Sequence, residues 1–191
     1  MATLTIANQL TLLRMFLIPV FAILVVYDHS GWGLVVLAVA GITDGLDGLI
    51  ARWSGQKTSL GAWLDPMADK LLLVTTFVVL TLPGIDLVNR LPLWLTILVI
   101  SRDVVIVLTV AIVSLAVGNR PFRPSVYGKL ATFIYIVTSV VVVFFNYVGR
   151  RSWLVDACIY GSLLITLVSG FHYIAHARRI INEPGGSQRH S

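Results

Sequence analysis

Residues 44–69 of the chain read DGLDGLIARWSGQKTSLGAWLDPMAD, and they set four carboxylates, Asp44, Asp47, Asp65 and Asp69, beside Gly48, Ala51, Arg52 and Gly61. The sequence on either side has the opposite character. Of 191 residues, 57% are hydrophobic and only 12% charged, with a mean hydropathy of +0.89, which places the chain among membrane proteins rather than soluble or disordered ones. Charged groups at membrane depth are costly unless they meet a counter-ion, water or a metal, so four acids in one short stretch demand a local reason.

Outward from that stretch the chain divides into apolar runs. The first acid pair ends a helix over 32–52, and the second lies early in a helix over 59–82 that Ser59 caps and that Pro83 and Gly84 stop. Residues 53–58 form the turn between them. Upstream, 8–27 is a span carrying Arg14 and Pro19, followed by the turn Asp28, His29, Ser30 and Gly31. Downstream come 91–117 with Arg102 and Asp103 at its middle, 125–148 opening with Gly128 and Lys129, and 152–177. A bilayer core needs about 20 apolar residues, so the expected fold class is all-α: a polytopic integral membrane protein with six transmembrane helices. Residues 1–177 read as one domain and 178–191 as a polar cytoplasmic tail that frays.

An even number of spans puts both termini on one side. That side holds Arg52, Lys57, Arg120, Arg123, Arg178 and Arg179, against Arg90, Arg150 and Arg151 on the other. The bias makes the first side cytoplasmic, and the acid stretch opens towards it. The net charge of +5 belongs to the ends of apolar runs, which fits membrane topology and anionic lipid and excludes a nucleic-acid face. Cys158 is the single cysteine, a small packing residue with no intrachain disulfide. The first run has Arg14 inside it and no basic region before it, unlike a cleavable signal peptide. His172 and His176 lack a third ligand and read as interfacial polar packing.

The chemistry of the stretch follows from its spacing. Asp44 and Asp47 are three residues apart and Asp65 and Asp69 four apart, so each pair shares one face of its helix. Four converging carboxylates repel unless a cation sits among them, and an oxygen-only set suits a hard ion such as Mg²⁺ or Mn²⁺. Gly48 and Gly61 allow a ligand close to the backbone, Arg52 supplies fixed charge for a phosphate, and the helix start at Ser59 and Gly61 favours anions. The residues therefore point to a phosphorylated ligand. A proton or cation carrier using intramembrane acids is the alternative of another class.

The same residues resemble the signature of the CDP-alcohol phosphotransferase family, D-x2-D-G-x2-A-R-x8-G-x3-D-x3-D, which Asp44, Asp47, Gly48, Ala51, Arg52, Gly61, Asp65 and Asp69 match at every position. The resemblance implies a six-helix membrane core and transfer of a phosphatidyl group from CDP-diacylglycerol to an alcohol, with release of CMP. It further implies that Asp44, Asp47, Asp65 and Asp69 hold the metal, that Asp69 is the catalytic base, and that Asp44, Gly48, Ala51, Arg52 and Gly61 surround the CDP donor. Two ions, Mg²⁺ or Mn²⁺, a homodimer and a bacterial inner-membrane location are implied likewise.

The acceptor is read outside the signature. Arg102 at mid-span and Arg14 and Lys129 in the cytoplasmic portions of their helices are expected to face one cavity, where buried cations require an anion. An acceptor phosphate supplies it, which favours glycerol 3-phosphate. The segment 8–19, the Arg102 neighbourhood and the Pro124, Ser125, Gly128, Lys129 run resemble the phosphatidylglycerophosphate-forming branch of the family. Asp103 after Arg102 also resembles the cardiolipin-forming branch, so phosphatidylglycerol and inositol phosphate are the alternative acceptors.

Overall fold

A computed structural model describes the backbone of residues 6–54, 59–117 and 126–182 and, within these, the side chains of 9–46, 64, 66–109 and 126–173. Six helices follow in order: α1 Ile6–Val26, α2 Ser30–Ser54, α3 Ser59–Thr81, α4 Leu93–Val117, α5 Val126–Val148 and α6 Trp153–Asn182. No strand occurs among the described residues. Helices are the solution an apolar chain must adopt in lipid, where each backbone polar group has to be satisfied within its own segment. Among the described residues, Gln9–Val26, Val126–Val148 and Trp153–Tyr173 are each long and apolar enough to cross a membrane, and Ser30–Leu46 of α2 is a shorter apolar stretch. The all-α, six-helix membrane architecture is the one expected.

Boundaries shift in instructive ways. α4 starts at Leu93 rather than 91, because Pro92 lies outside the helix and its carbonyl accepts the Leu95 N–H at 3.0 Å. α6 runs on to Asn182, so the expected boundary between helix and tail at 177 is corrected: five further residues continue the helix. Arg178 and Arg179 are polar yet good helix formers, and polarity alone does not end a helix that has left the apolar layer. The rest of the tail, residues 183–191, and the loops 55–58 and 118–125, including Arg120 and Arg123, lie outside the described residues.

Two turns show why the chain reverses where it does. After α1, Asp28 adopts φ 60° and the His29 N–H reaches back to the Leu24 carbonyl at 2.7 Å. After α5, Gly149 at φ 68° lets the Arg150 N–H bond the Phe145 carbonyl at 3.2 Å. Both closures satisfy orphan carbonyls through a residue in the left-handed region.

α1 packs against α2 and α3, α5 against α2 and α6, and α4 chiefly against α6. Phe21, Phe77, Leu80, Leu95 and Val142 are fully buried at the centre, while Phe16, Ile23, Phe133, Leu164 and Phe171 face outward. Lipid gives apolar side chains no reason to cluster, so short hydroxyl bridges help to hold neighbours together. Thr81 and Thr96 meet at 2.6 Å between α3 and α4, Tyr135 and Thr166 at 2.7 Å and Thr138 and Ser162 at 2.8 Å between α5 and α6. Each such bridge contributes about 0.6 kcal/mol.

Beyond the end of α3 a clasp joins two loops. The Asn89 N–H donates to Asn146 Oδ1 at 2.7 Å, Asn146 Nδ2 donates back to the Asn89 carbonyl at 2.9 Å, and Asn89 Nδ2 donates to the Arg150 carbonyl at 2.8 Å. The α3–α4 loop is thereby fixed to the end of α5.

Candidate active site

On α1 the buried positions Thr11, Arg14, Ile18, Phe21 and Val25 recur at helical spacing, so the same stripe that packs α1 carries a guanidinium inward. Arg14 is 0% exposed, and its Nη1 lies 2.9 Å from Asp44 Oδ1 on α2 and pairs also with Asp69 Oδ1 on α3. The two carboxylates remain accessible, at 43% for Asp44 and 39% for Asp69. A guanidinium cannot shed its charge, and removing one partner of a buried ion pair costs about 3–5 kcal/mol. Arg14 therefore fixes where α2 and α3 place these acids. Pro66, one turn before Asp69 in α3, cannot donate to the carbonyl four residues earlier, which loosens the helix ladder beside the acid.

Asp44 and Asp69 line a cavity of about 400 Å³ between α2, α3 and α5. Its other walls include Leu37, Leu72, Ile136 and Val140, with the hydroxyls of Thr132 and Ser139. One hollow thus offers carboxylates at one part and hydrocarbon at another. Such a hollow suits a ligand with a polar group and an apolar body.

The remaining signature residues are placed by backbone alone. Asp47, Gly48, Ala51 and Arg52 lie in the last turns of α2, and Gly61 and Asp65 in the first turns of α3, their side chains being outside the described residues. Among the described residues no group of three or more His, Cys, Asp or Glu is placed to hold a metal. The donor chemistry nevertheless fits a hard divalent cation. Two oxygen donors from different helices already converge on one positive group.

Each of the three cations expected to face one cavity has its own described surroundings. Arg14 stands with the acids, Arg102 lines a second cavity of about 230 Å³ between α4 and α6, and Lys129 is exposed at the start of α5. Arg102 is 9% exposed. It donates to Asp103 Oδ1 at 2.7 Å and to Ser169 Oγ, and its guanidinium lies 5.8 Å from the Tyr173 ring centroid. Neighbours in sequence point about 100° apart on a helix, so no Arg102–Asp103 pair is expected, yet the arginine is long enough to curl back to it. Gly128 of α5 approaches this group so closely that a Cβ there would stand 3.1 Å from the Tyr173 hydroxyl and 3.6 Å from Arg102 Nη2.

Lys70 is a participant that sequence reasoning missed. Its Nζ lies 3.6 Å from Asp103 Oδ2, linking the residue after Asp69 to the Arg102 group. Adjacency to Asp69 was the available signal; the partner, on another helix, was not. The His172 ring lies against Tyr127 with centroids 4.6 Å apart and the planes tilted by 46°, and His176 lies outside the described side chains.

Comparison with known proteins fits this geometry. The model of the CDP-alcohol phosphatidyltransferase family matches residues 4–172. A "Probable phosphatidylglycerophosphate synthase" of Mycobacterium tuberculosis is 35% identical over 182 residues, covering 92% of this chain and 82% of the relative. A "Cardiolipin synthase (CMP-forming)" of Streptomyces coelicolor is 39% identical over 136 residues, covering 68% of this chain and 60% of the relative. The human protein of the same name is 33% identical over 196 residues, covering 93% of this chain and 63% of the relative. With the acids of α2 and α3 drawn together beside a partly apolar hollow and a family match over nearly its whole length, this membrane protein belongs to the CDP-alcohol phosphatidyltransferases of phospholipid synthesis.

Proposed function

We propose that the chain transfers the phosphatidyl group of CDP-diacylglycerol to glycerol 3-phosphate and releases CMP. The observation that carries this reading is the single cavity shared by Asp44, Asp69 and apolar walls, which suits a donor whose pyrophosphate and acyl chains must be held together. The tuberculosis relative, named for phosphatidylglycerophosphate synthesis and covering 92% of this chain, supports the acceptor.

In the proposed reaction Asp69 accepts the proton of the acceptor hydroxyl as that oxygen attacks the phosphorus bearing the lipid. The new P–O bond forms as the bond to CMP breaks, and CMP leaves with the electron pair. Divalent cations, Mg²⁺ or Mn²⁺, held by Asp44, Asp47, Asp65 and Asp69, supply neutralisation of the pyrophosphate charge when bound. Arg52 is assigned to the donor phosphates and Gly48, Ala51 and Gly61 to its close backbone approach. Arg102 and Lys129 are assigned to the acceptor phosphate. The reading places the centre on the cytoplasmic face of a bacterial inner membrane and the protein in a homodimer.

A second acceptor, phosphatidylglycerol, is favoured by one observation. Arg102 lines a cavity whose other walls include Leu98, Val105, Ile106, Leu167 and Phe171, surroundings suited to the phosphate of a lipid. The test is CMP release by purified protein in detergent with CDP-diacylglycerol, Mg²⁺ or Mn²⁺, and glycerol 3-phosphate, phosphatidylglycerol or inositol phosphate in turn. Stimulation by glycerol 3-phosphate alone is expected; stimulation by phosphatidylglycerol alone moves the assignment to cardiolipin formation.

A further inference from the structure

We infer that Arg14 is the resident counter-cation of the carboxylate centre: it holds Asp44 and Asp69 together in the metal-free chain, and a divalent cation is loaded against it. The inference rests on the metal-centre reading proposed above.

The position of Arg14 is the first ground. It comes from α1, outside the 44–69 stretch, and is 0% exposed, so its charge is directed wholly inward. Its partners among the described side chains include the two acids that α2 and α3 bring side by side, and both are engaged through Oδ1 by the same nitrogen, Nη1. Carboxylates brought together on adjacent helices repel, and this stretch carries two more in Asp47 and Asp65. A permanent cation offsets part of that repulsion when no metal is present.

The second ground is competition for the same atoms. A hard cation would draw on the carboxylate oxygens that Arg14 already holds, and it would do so beside a fixed positive charge. Arg14 therefore acts in opposite directions on two measurable quantities. It raises the stability of the metal-free protein and lowers the affinity for metal. A residue that merely oriented the ligands would raise both, because disordered carboxylates bind a cation less well than ordered ones.

The experiment uses the full chain in lipid nanodiscs and does not depend on turnover. Melting in EDTA and Mn²⁺ affinity by electron paramagnetic resonance are measured for the wild type, Arg14→Met and Arg14→Lys. Arg14→Met is expected to melt lower in EDTA and to bind Mn²⁺ tighter by on the order of tenfold or more, since a like charge has been removed from the metal's side. Arg14→Lys, which keeps the charge, falls between. Unchanged melting, or Mn²⁺ binding that is equal or weaker in Arg14→Met, overturns the inference while leaving the metal centre intact. Absence of Mn²⁺ binding by the wild type overturns the metal centre itself and the inference with it. Where Arg14→Met does not fold, the double variant Arg14→Met/Asp44→Asn removes one charge of each sign, and its melting in EDTA is compared with that of Asp44→Asn. Recovery of a folded protein supports the counter-cation role, and failure to recover overturns it.

Discussion

Beside the first half of α3, Arg14 draws Asp44 and Asp69 together; beyond its far end, Asn89 and Asn146 exchange hydrogen bonds while Asn89 also donates to the Arg150 carbonyl. Both arrangements bring distant parts of the chain to one place with polar groups. The asparagine clasp uses neutral amides whose donors and acceptors are matched to backbone, so it consumes its own hydrogen-bonding capacity and fixes a loop. The acid pair is charged, 43% and 39% exposed, and opens on a cavity of about 400 Å³, so it keeps capacity for something else. Polar residues in membrane helices are thus separable into those that finish the fold and those that leave a vacancy for a ligand, by asking what each group still has to offer.

The comparison makes its strongest claim at the acids. Asp69→Asn is expected to lower CMP release per folded molecule about 10³-fold, the range lost with a general base, and also to lower the melting temperature, because Arg14 loses one of its carboxylate partners. A mutant that keeps turnover would remove Asp69 from the role of base. At the clasp the consequences reverse. Asn146→Ala strands the Asn89 N–H and carbonyl and is expected to cost about 2–3 kcal/mol of stability, while CMP release per folded molecule stays unchanged; loss of turnover without loss of melting temperature would break the distinction drawn here.

Arg102 tests whether a cation away from the acids serves the acceptor. Arg102→Ala is expected to raise the acceptor KM about tenfold, equivalent to about 1.4 kcal/mol, with the KM for CDP-diacylglycerol little altered. Equal rises in both would assign Arg102 to packing against Ser169 and Tyr173. The smallest effect belongs to the turn beside the clasp: Gly149 sits at φ 68°, and Gly149→Ala is expected to cost about 1 kcal/mol in thermal unfolding, the strain of a side chain in the left-handed region.

What the sequence made legible was local. The acid stretch, the apolar runs around it and the punctuation by Asp28, Pro83 and Gly84 are all spelled by neighbouring residues, and the six helices follow from them. The partnerships are not local. Arg14 meets acids 30 and 55 positions away, and Asn89 meets Asn146 57 positions away. Helical periodicity says that Arg14 shares a face with Ile18 and Phe21 but not which helices that face will touch. For that reason the sequence did not say what each cation suited to an acceptor phosphate touches: Arg14 meets the acids, Arg102 lines a groove between α4 and α6, and Lys129 is exposed. The length of α6 was hidden for a different reason, since Arg178 and Arg179 are compatible with both a helix and a tail.

The location of Arg14 on α1 also bears on how the protein enters the bilayer. Translation delivers this helix before the acids that neutralise its arginine, and a lone arginine inside a span costs up to about 2.5–3.5 kcal/mol, the value at the helix centre on insertion scales. The leucine, isoleucine, valine and phenylalanine residues around it offset that cost by about 0.3–0.6 kcal/mol each, so the first helix can wait in the membrane, though not comfortably. Only when α2 and α3 have followed, as far as Asp69, does the guanidinium have both Asp44 and Asp69 beside it. The cost of the guanidinium on α1 is accordingly offset only by the two helices that follow it.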